Sequence, residues 1–472
     1  MFSKEIYISR RAALMEAMKG EKGVAVFVGN TDSPAQYRDN CYKFRQDSTW
    51  LYLFGLQEPG WAAVLDFESG AQTLYADDCD IDDIIWNGPT PSVAERAASV
   101  GIESTRPSKA LAADVKGRKI HFVPCTRLYN AGIIAELAGL GSPAQTFSQG
   151  KKGCPEASAK LVRALIEMRI VKGPEEIEIL DYACALGQQM HTIARRGIRE
   201  GRIEQEIVGE MEGFALAKGW GVSFPTILTQ HGEVFHCHSH ECPVQPGRLM
   251  VIDAGLEVNE GYASDFTRTY PTSGRFTPKQ KDIYDIVCAC HDYAFEHTKP
   301  GVAYLSVHLG VERLLLERLA ALGLVQGSVD DMLAEGTAGL FLPHGLGHNM
   351  GLDVHDMEDY GEDLVGYGPG QSRSSLLGRG SLRMARELRP GNVVTDEPGI
   401  YFIPDLIRLW KKENKPFVNY GKLEEYYDFG GIRLEDDVLV TPDGARRLGA
   451  ERLPASSADI EEAMKWDSLK EK

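Results

Sequence analysis

Phe341 to Glu358 reads FLPHGLGHNMGLDVHDME, a stretch that carries His344, His348 and His355, Gly345, Gly347 and Gly351, and the acids Asp353, Asp356 and Glu358. A globular core has little use for such a run. Glycine has no Cβ, so these positions allow close backbone approach. Three titratable, metal-capable imidazoles on a glycine-loosened segment mark a site rather than a surface. The fold must bring partners for these imidazoles from elsewhere in the chain, and the candidates are carboxylates.

The first two lie just upstream. Leu249-Met-Val-Ile runs apolar into Asp253, and after a turn around Asn259–Gly261 the segment Tyr262–Tyr270 reads as a second strand. Two strands joined by a short loop pair as a hairpin, so Asp253 and Asp265 are expected to face each other. Asp265, Thr267 and Thr269 share one face by the period-2 rule. Two more acids sit late in the chain: Glu397 ends the β-branched run Asn392-Val-Val-Thr-Asp before a Pro-Gly turn, and Glu435 is embedded among the strand-formers of Gly431–Val440. Each alone fits a turn cap or a surface ion pair. Together they do not, because an isolated carboxylate in low dielectric must be paired, protonated or metal-bound.

Asp253, Asp265, Glu397 and Glu435 with one neutral histidine would gather four negative charges, and like charges at close range cannot all stay ionised unaided. Two divalent cations would neutralise them. Oxygen-rich ligation with a single imidazole suits Mn²⁺, Co²⁺ or Mg²⁺ better than structural zinc, with Zn²⁺ as an alternative. A two-metal site activates water and polarises a carbonyl, so hydrolysis is the expected reaction class. Other signatures fail: there is no Walker A loop, no G-x-S-x-G elbow and no H-E-x-x-H helix, since Cys242-Pro243-Val244 follows His240-Glu241. Alternation would put His236, His238 and His240 on one strand face, with one of the cluster His231, His236, His238 and His240 expected to have a role.

The 472-residue chain predicts two domains. A net charge of −17 argues against nucleic acid and anionic membrane as partners. With nine scattered cysteines, no apolar leader and no long apolar run, the expectation is a cytoplasmic protein with reduced thiols. Residues 1–150 read as a small α/β domain: an amphipathic helix over Ser9–Lys19, and strands at Val24–Val28, Trp50–Gly55, Ala62–Phe67, Gln72–Ala76 and Lys119–Val123. Ser148–Pro155 is the expected linker. Residues 156–455 form the catalytic domain, helical over Glu156–Gly197 with a break at Gly173-Pro174, and 456–472 a surface helix or tail.

VIDAG around Asp253, SDFTRTYP around Asp265, HGLGHNMGLDVHD, TDEPGIY around Glu397 and GIRLEDD around Glu435 resemble, in that order, the five-part signature of a known family. It is that of the proline-specific peptidases of the pita-bread (creatinase/aminopeptidase) fold, which includes prolidase (Xaa-Pro dipeptidase) and aminopeptidase P. YRDNCYKFRQDSTWLYLFG and IIWNG are similar to that family's N-terminal accessory domain. The resemblance implies an α/β fold of accessory plus pita-bread domains, and two metals, most often Mn²⁺. Asp253 would bind one metal only, Asp265 and Glu435 would bridge, and His348 and Glu397 would bind the other. It further implies that His236, His344 and His355 surround the substrate, with His355 steadying the oxyanion and Glu397 shuttling the proton to the proline nitrogen. Arg433 would hold a carboxylate ligand. Asp39 and Trp86 would reach a neighbouring subunit's site, implying a homodimer or higher oligomer.

Within the insertion between His355 and Glu397, SLRMARELRPG resembles the longer prolidases, in which an arginine matching Arg383 binds the proline carboxylate and limits substrates to dipeptides. The expected substrate is a small peptide with proline second. The alternatives are an Xaa-Pro aminopeptidase acting on longer peptides and a catalytically inactive binding protein on the same fold. Phe224 departs from the family by standing where a tyrosine is frequent, which bears on substrate contacts.

Overall fold

The computed structural model describes residues 2–469. They pack as two compact units, the first taking the chain up to Arg169 together with Met357–Val365, the second taking Ile170–Asp356 and the chain from Gly366 on. The helix Ala159–Arg169 thus belongs with the first unit, as does a piece of the insertion that follows His355. Among the described residues no helix is long and apolar enough to cross a membrane.

The first unit is built on a five-stranded mixed sheet in the order Ser104–Arg106, Gln72–Tyr75, Ala62–Asp66, Val24–Val28, Ile120–His121. Its middle strands are the β-branched and alanine-rich runs of the sequence, and Val24, Val26, Val64 and Tyr75 join a common apolar core. The N-terminal helix starts earlier than expected, spanning Lys4–Ala17. Trp50–Gly55 is not a strand. Ser48–Phe54 is a helix, capped by the Asp47 side chain, which accepts from Trp50 N, and closed by Gly55 at φ 64°. Every residue of that helix is buried, and a short run buried on all sides has no periodicity to tell helix from strand.

In the second unit Leu249–Ala254 is the middle strand of an antiparallel trio between Phe266–Pro271 and Ile227–Thr229. A second trio sets Asp436–Thr441 between Val393–Asp396 and Gly444–Arg447, and Gly399–Tyr401 pairs with Gly431–Arg433. The trios are joined where Glu435 N donates to Thr267 O at 3.0 Å. The expected second strand starts at Phe266 rather than Tyr262, because Ala263 N and Ser264 N donate elsewhere, to Gly351 O and Leu256 O. Pro174–Gly197 packs on the first trio and Pro278–His297 on Gly431–Arg433. The first of these helices begins at the predicted Gly-Pro break, proline being pre-shaped for a first helical position. Ser457–Leu469 is a helix whose Ile460 is fully buried.

Candidate metal centre

Strand register delivers the acids. Asp253 pairs opposite Thr267, and Asp265 lies two residues before Thr267, so the two carboxylates are diagonal neighbours on one sheet face. Glu397 follows directly on Val393–Asp396, its N–H donating to Leu346 O at 2.8 Å and so tying it to the glycine-rich segment. Glu435 stands between two short strands, and its Oε2 accepts from Thr267 Oγ1 at 2.7 Å. The three consecutive acids of Glu435-Asp436-Asp437 are sorted by alternation. Asp436 accepts from Arg268 at 2.6 Å and Arg447 at 2.7 Å, while Asp437 accepts from the Asp265 N–H at 2.9 Å and the Cys184 thiol at 3.2 Å. Only Glu435 is left for the cavity.

That cavity, about 500 Å³, is lined by Asp253, Asp265, His344, His348, His355, Glu397, Arg433 and Glu435, and also by His236 and Arg383. Asp39 and Trp86 are not among its walls. They belong to the first unit, where they line a different cavity with Arg38 and Arg127, and Trp86 is 84% exposed. The histidine-rich Phe235–Glu241 is irregular rather than a strand, so no alternation governs it. His240 is buried with Nδ1 3.1 Å from Leu228 O, His231 pairs with Glu233, and His236 and His238 both reach the cavity wall. His238 was missed in sequence for lack of a regular period. Phe224 also lines the cavity.

Charge is concentrated here. Burial, reinforced by neighbouring carboxylates, pushes Asp265 and Glu435 well above the usual carboxylate range. Burial also pushes Glu397 up to about 7, against the pull of His348 and Arg433. The Oδ1 of Asp265 is buried with no hydrogen-bond partner. His348 Nδ1 faces the Asn349 carbonyl at 3.0 Å, which assigns it the proton and turns the Nε2 lone pair toward Asp265 Oδ2 at 3.5 Å and Glu397 Oε1 at 4.0 Å. A lone pair facing carboxylate oxygens, with an orphaned carboxylate oxygen beside it, is a donor set that a cation satisfies. Ligand atoms of Asp265, His348 and Glu435 lie within 4.8 Å of one another, a spacing that fits a divalent ion.

A hydrogen-bond chain runs along the wall. Arg433 donates to Asp253 and, at 2.9 Å, to the Tyr401 oxygen; Tyr401 O–H donates to His344 Nε2 at 2.8 Å; His344 Nδ1–H donates to Gly345 O at 2.7 Å. Burial, with help from the Arg433 charge, lowers His344 to about 3, so it is a neutral imidazole of fixed tautomer. Tyr401 was not foreseen as a site residue, although it closes the TDEPGIY motif that holds Glu397.

A carboxylate cluster suited to divalent ions, at the junction of two antiparallel trios, defines a metallohydrolase. The chain belongs to metallopeptidase family M24, whose model matches residues 178–442, and the aminopeptidase P N-terminal domain matches residues 7–119. It is a metallopeptidase with an α/β accessory domain and a pita-bread catalytic domain, as the sequence implied. It is 30% identical over 452 residues to the Homo sapiens Xaa-Pro dipeptidase, covering 93% of this chain and 88% of that protein. It is 29% identical over 467 residues to the Escherichia coli (strain K12) Xaa-Pro aminopeptidase, covering 95% of each. A variant of Escherichia coli aminopeptidase P in complex with substrate superposes with a TM-score of 0.80 at 29% identity over 99% of both chains.

Proposed function

We propose that the protein is an Xaa-Pro dipeptidase whose centre is formed by Asp253, Asp265, His348, Glu397 and Glu435 holding two divalent ions, most readily Mn²⁺, with Co²⁺ or Zn²⁺ as substitutes. Bound there, the ions supply an activated water and polarise the scissile carbonyl. The chain's own groups do the rest. Glu397, bordering the cavity, is placed to pass a proton to the leaving proline nitrogen. His355, whose ring centre lies 4.2 Å from that of His348, donates toward the developing oxyanion. His236 and neutral His344 border the substrate. Arg433 fixes the Asp253 carboxylate that it contacts.

Arg383 carries the choice of dipeptidase. It lines the same cavity as the acids, and a guanidinium fork matches a free carboxylate bidentately, so it reads the end of a two-residue substrate. The aminopeptidase alternative draws on the likeness to the Escherichia coli enzyme. The two differ in how they treat Ala-Pro and Ala-Pro-Ala. Arg383→Ala is expected to lower kcat/KM for Ala-Pro about 10²-fold, chiefly through KM, and to leave tripeptide cleavage unchanged. Wild-type cleavage of both peptides at equal rates would instead make it an aminopeptidase.

Asp39 and Trp86, exposed in the first unit, are proposed to meet the site of a second copy in a homodimer or larger oligomer. All nine cysteines are free thiols, as a reducing, cytoplasmic setting keeps them. The domain boundaries proposed from the sequence are 1–150 and 156–455, followed by the tail 456–472; packing groups Ala159–Arg169 and Met357–Val365 with the first unit instead.

A further inference from the structure

Arg379 and Glu312 form an ion pair outside the cavity, its carboxylate buried and its guanidinium partly exposed. Arg379 Nε and Nη2 both donate to Glu312 Oε2, at 2.8 and 2.5 Å, and Nη2 also reaches Leu333 O at 2.9 Å. The Glu312 side chain is 1% exposed. Its other oxygen lies 3.2 Å from His308 Nε2, too poorly aligned for a hydrogen bond. Burial acts to raise the Glu312 carboxyl, but His308 and Arg379 together hold it below its ordinary value. A buried ion pair is weak evidence for stability and better suited to fixing a register.

What it fixes is visible from the chain path. Glu312 is on the helix Tyr304–Ala321, and Arg379 opens the short turn Arg379–Ser381 just before Arg383. Beyond Arg383 the segment is tied again at the start of the same helix, where Tyr304 N donates to Arg386 O and Leu388 N to Val302 O, both at 2.9 Å. Arg383 therefore hangs between two anchors on one helix, separated by about 12 Å at 1.5 Å per residue. Arg373 and Tyr367 each donate to Leu382 O at 2.9 Å, but both come from the insertion itself and set only its internal shape. The helix also braces the chemical side, since Tyr304 O–H reaches Thr395 O at 2.6 Å and Asp396 Oδ1 at 2.7 Å, beside Glu397.

We propose that Arg379, held by Glu312, is a positioning residue that aims Arg383 at the substrate carboxylate and thereby sets the preference for a free C-terminus. This rests on the reading of Arg383 given above. The helix gives the carboxylate-reading arginine and the proton-carrying Glu397 a common frame. A loosened clamp then costs recognition of the acid rather than chemistry on the peptide bond.

The test compares Ala-Pro with Ala-Pro amide, using metal-loaded wild type, Arg383→Ala, Arg379→Lys, which keeps the charge and loses the fork, and Glu312→Gln. In Arg379→Lys and Glu312→Gln the KM for Ala-Pro rises about tenfold with kcat within about twofold of wild type, as expected for a misplaced binding group. The kcat/KM for the amide stays unchanged, so the preference for acid over amide falls by the same factor. A purely structural role would lower kcat on both substrates in parallel and leave KM alone, which overturns the proposal. If Arg383→Ala removes the preference while both clamp variants keep it, the clamp is wrong and the dipeptidase reading stands. If Arg383→Ala keeps the preference, both fall.

Discussion

Glu397→Gln lowers kcat by at least ~10²-fold, the ordinary size of a general acid–base contribution, when assayed on Ala-Pro at saturating Mn²⁺. The side chain lines the cavity and is 19% exposed, so it can meet the substrate. Glutamine keeps the volume and one carbonyl oxygen but cannot exchange a proton. The surrounding hydrogen bonds are left intact, because His344 is held by Tyr401 and Gly345 rather than by Glu397. Because Glu397 is also proposed as a metal ligand, the comparison is made at matched metal content, where the loss is expected in kcat. Turnover near wild type in the metal-loaded variant would remove Glu397 from the mechanism.

The metal-free protein loses stability as pH rises from about 7 toward 8. Burial pushes Asp396 and Glu397 up to about 7 and Asp437 up to about 8, and Asp265 and Glu435 shift in the same direction. Each of these groups binds its proton more tightly folded than unfolded. The unfolded chain therefore holds fewer protons at intermediate pH, and stability declines with pH until the folded values are passed. Burial lowers His191, His291 and His344, which act in the opposite sense below about 6.5, so the fall is read between pH 7 and 8, where a drop in Tm of a few °C, on the order of 2–5 °C, is expected for the stripped protein. Divalent ions should reduce that slope, since they replace the protons between Asp265, Glu397 and Glu435, while Asp396 and Asp437 keep their share. A Tm that is flat with pH in the stripped protein, or a slope that metal leaves untouched, would contradict the charge accounting of the site.

The parts legible in sequence were those where chemistry conflicts with local folding. Carboxylates that close apolar strands, such as Asp253 and Glu397, cannot be explained by strand propensity, and the same holds for three imidazoles among glycines in Phe341–Glu358. Period-2 alternation then put Asp265 and Thr267 on one face, as the register has it. Legibility failed where the pattern carried no period. Trp50–Phe54 is apolar on every side and folded as a capped helix, and the histidines from His236 to His240 lie on irregular chain. It failed also where a partner is set by tertiary path alone. Nothing near Glu312 in sequence announces Arg379, sixty-seven residues away, and Tyr401 entered the site through Arg433 rather than through any motif logic of its own.

The most direct test of the metal centre is a Mn²⁺ titration of the stripped protein by calorimetry, followed at each addition by Ala-Pro hydrolysis, for wild type and Asp265→Ala. Wild type is expected to bind two equivalents and to gain activity as they bind, and Asp265→Ala to lose both. Hydrolysis by the stripped protein, or unaltered metal uptake by Asp265→Ala, would contradict a centre built on Asp265, His348 and Glu435.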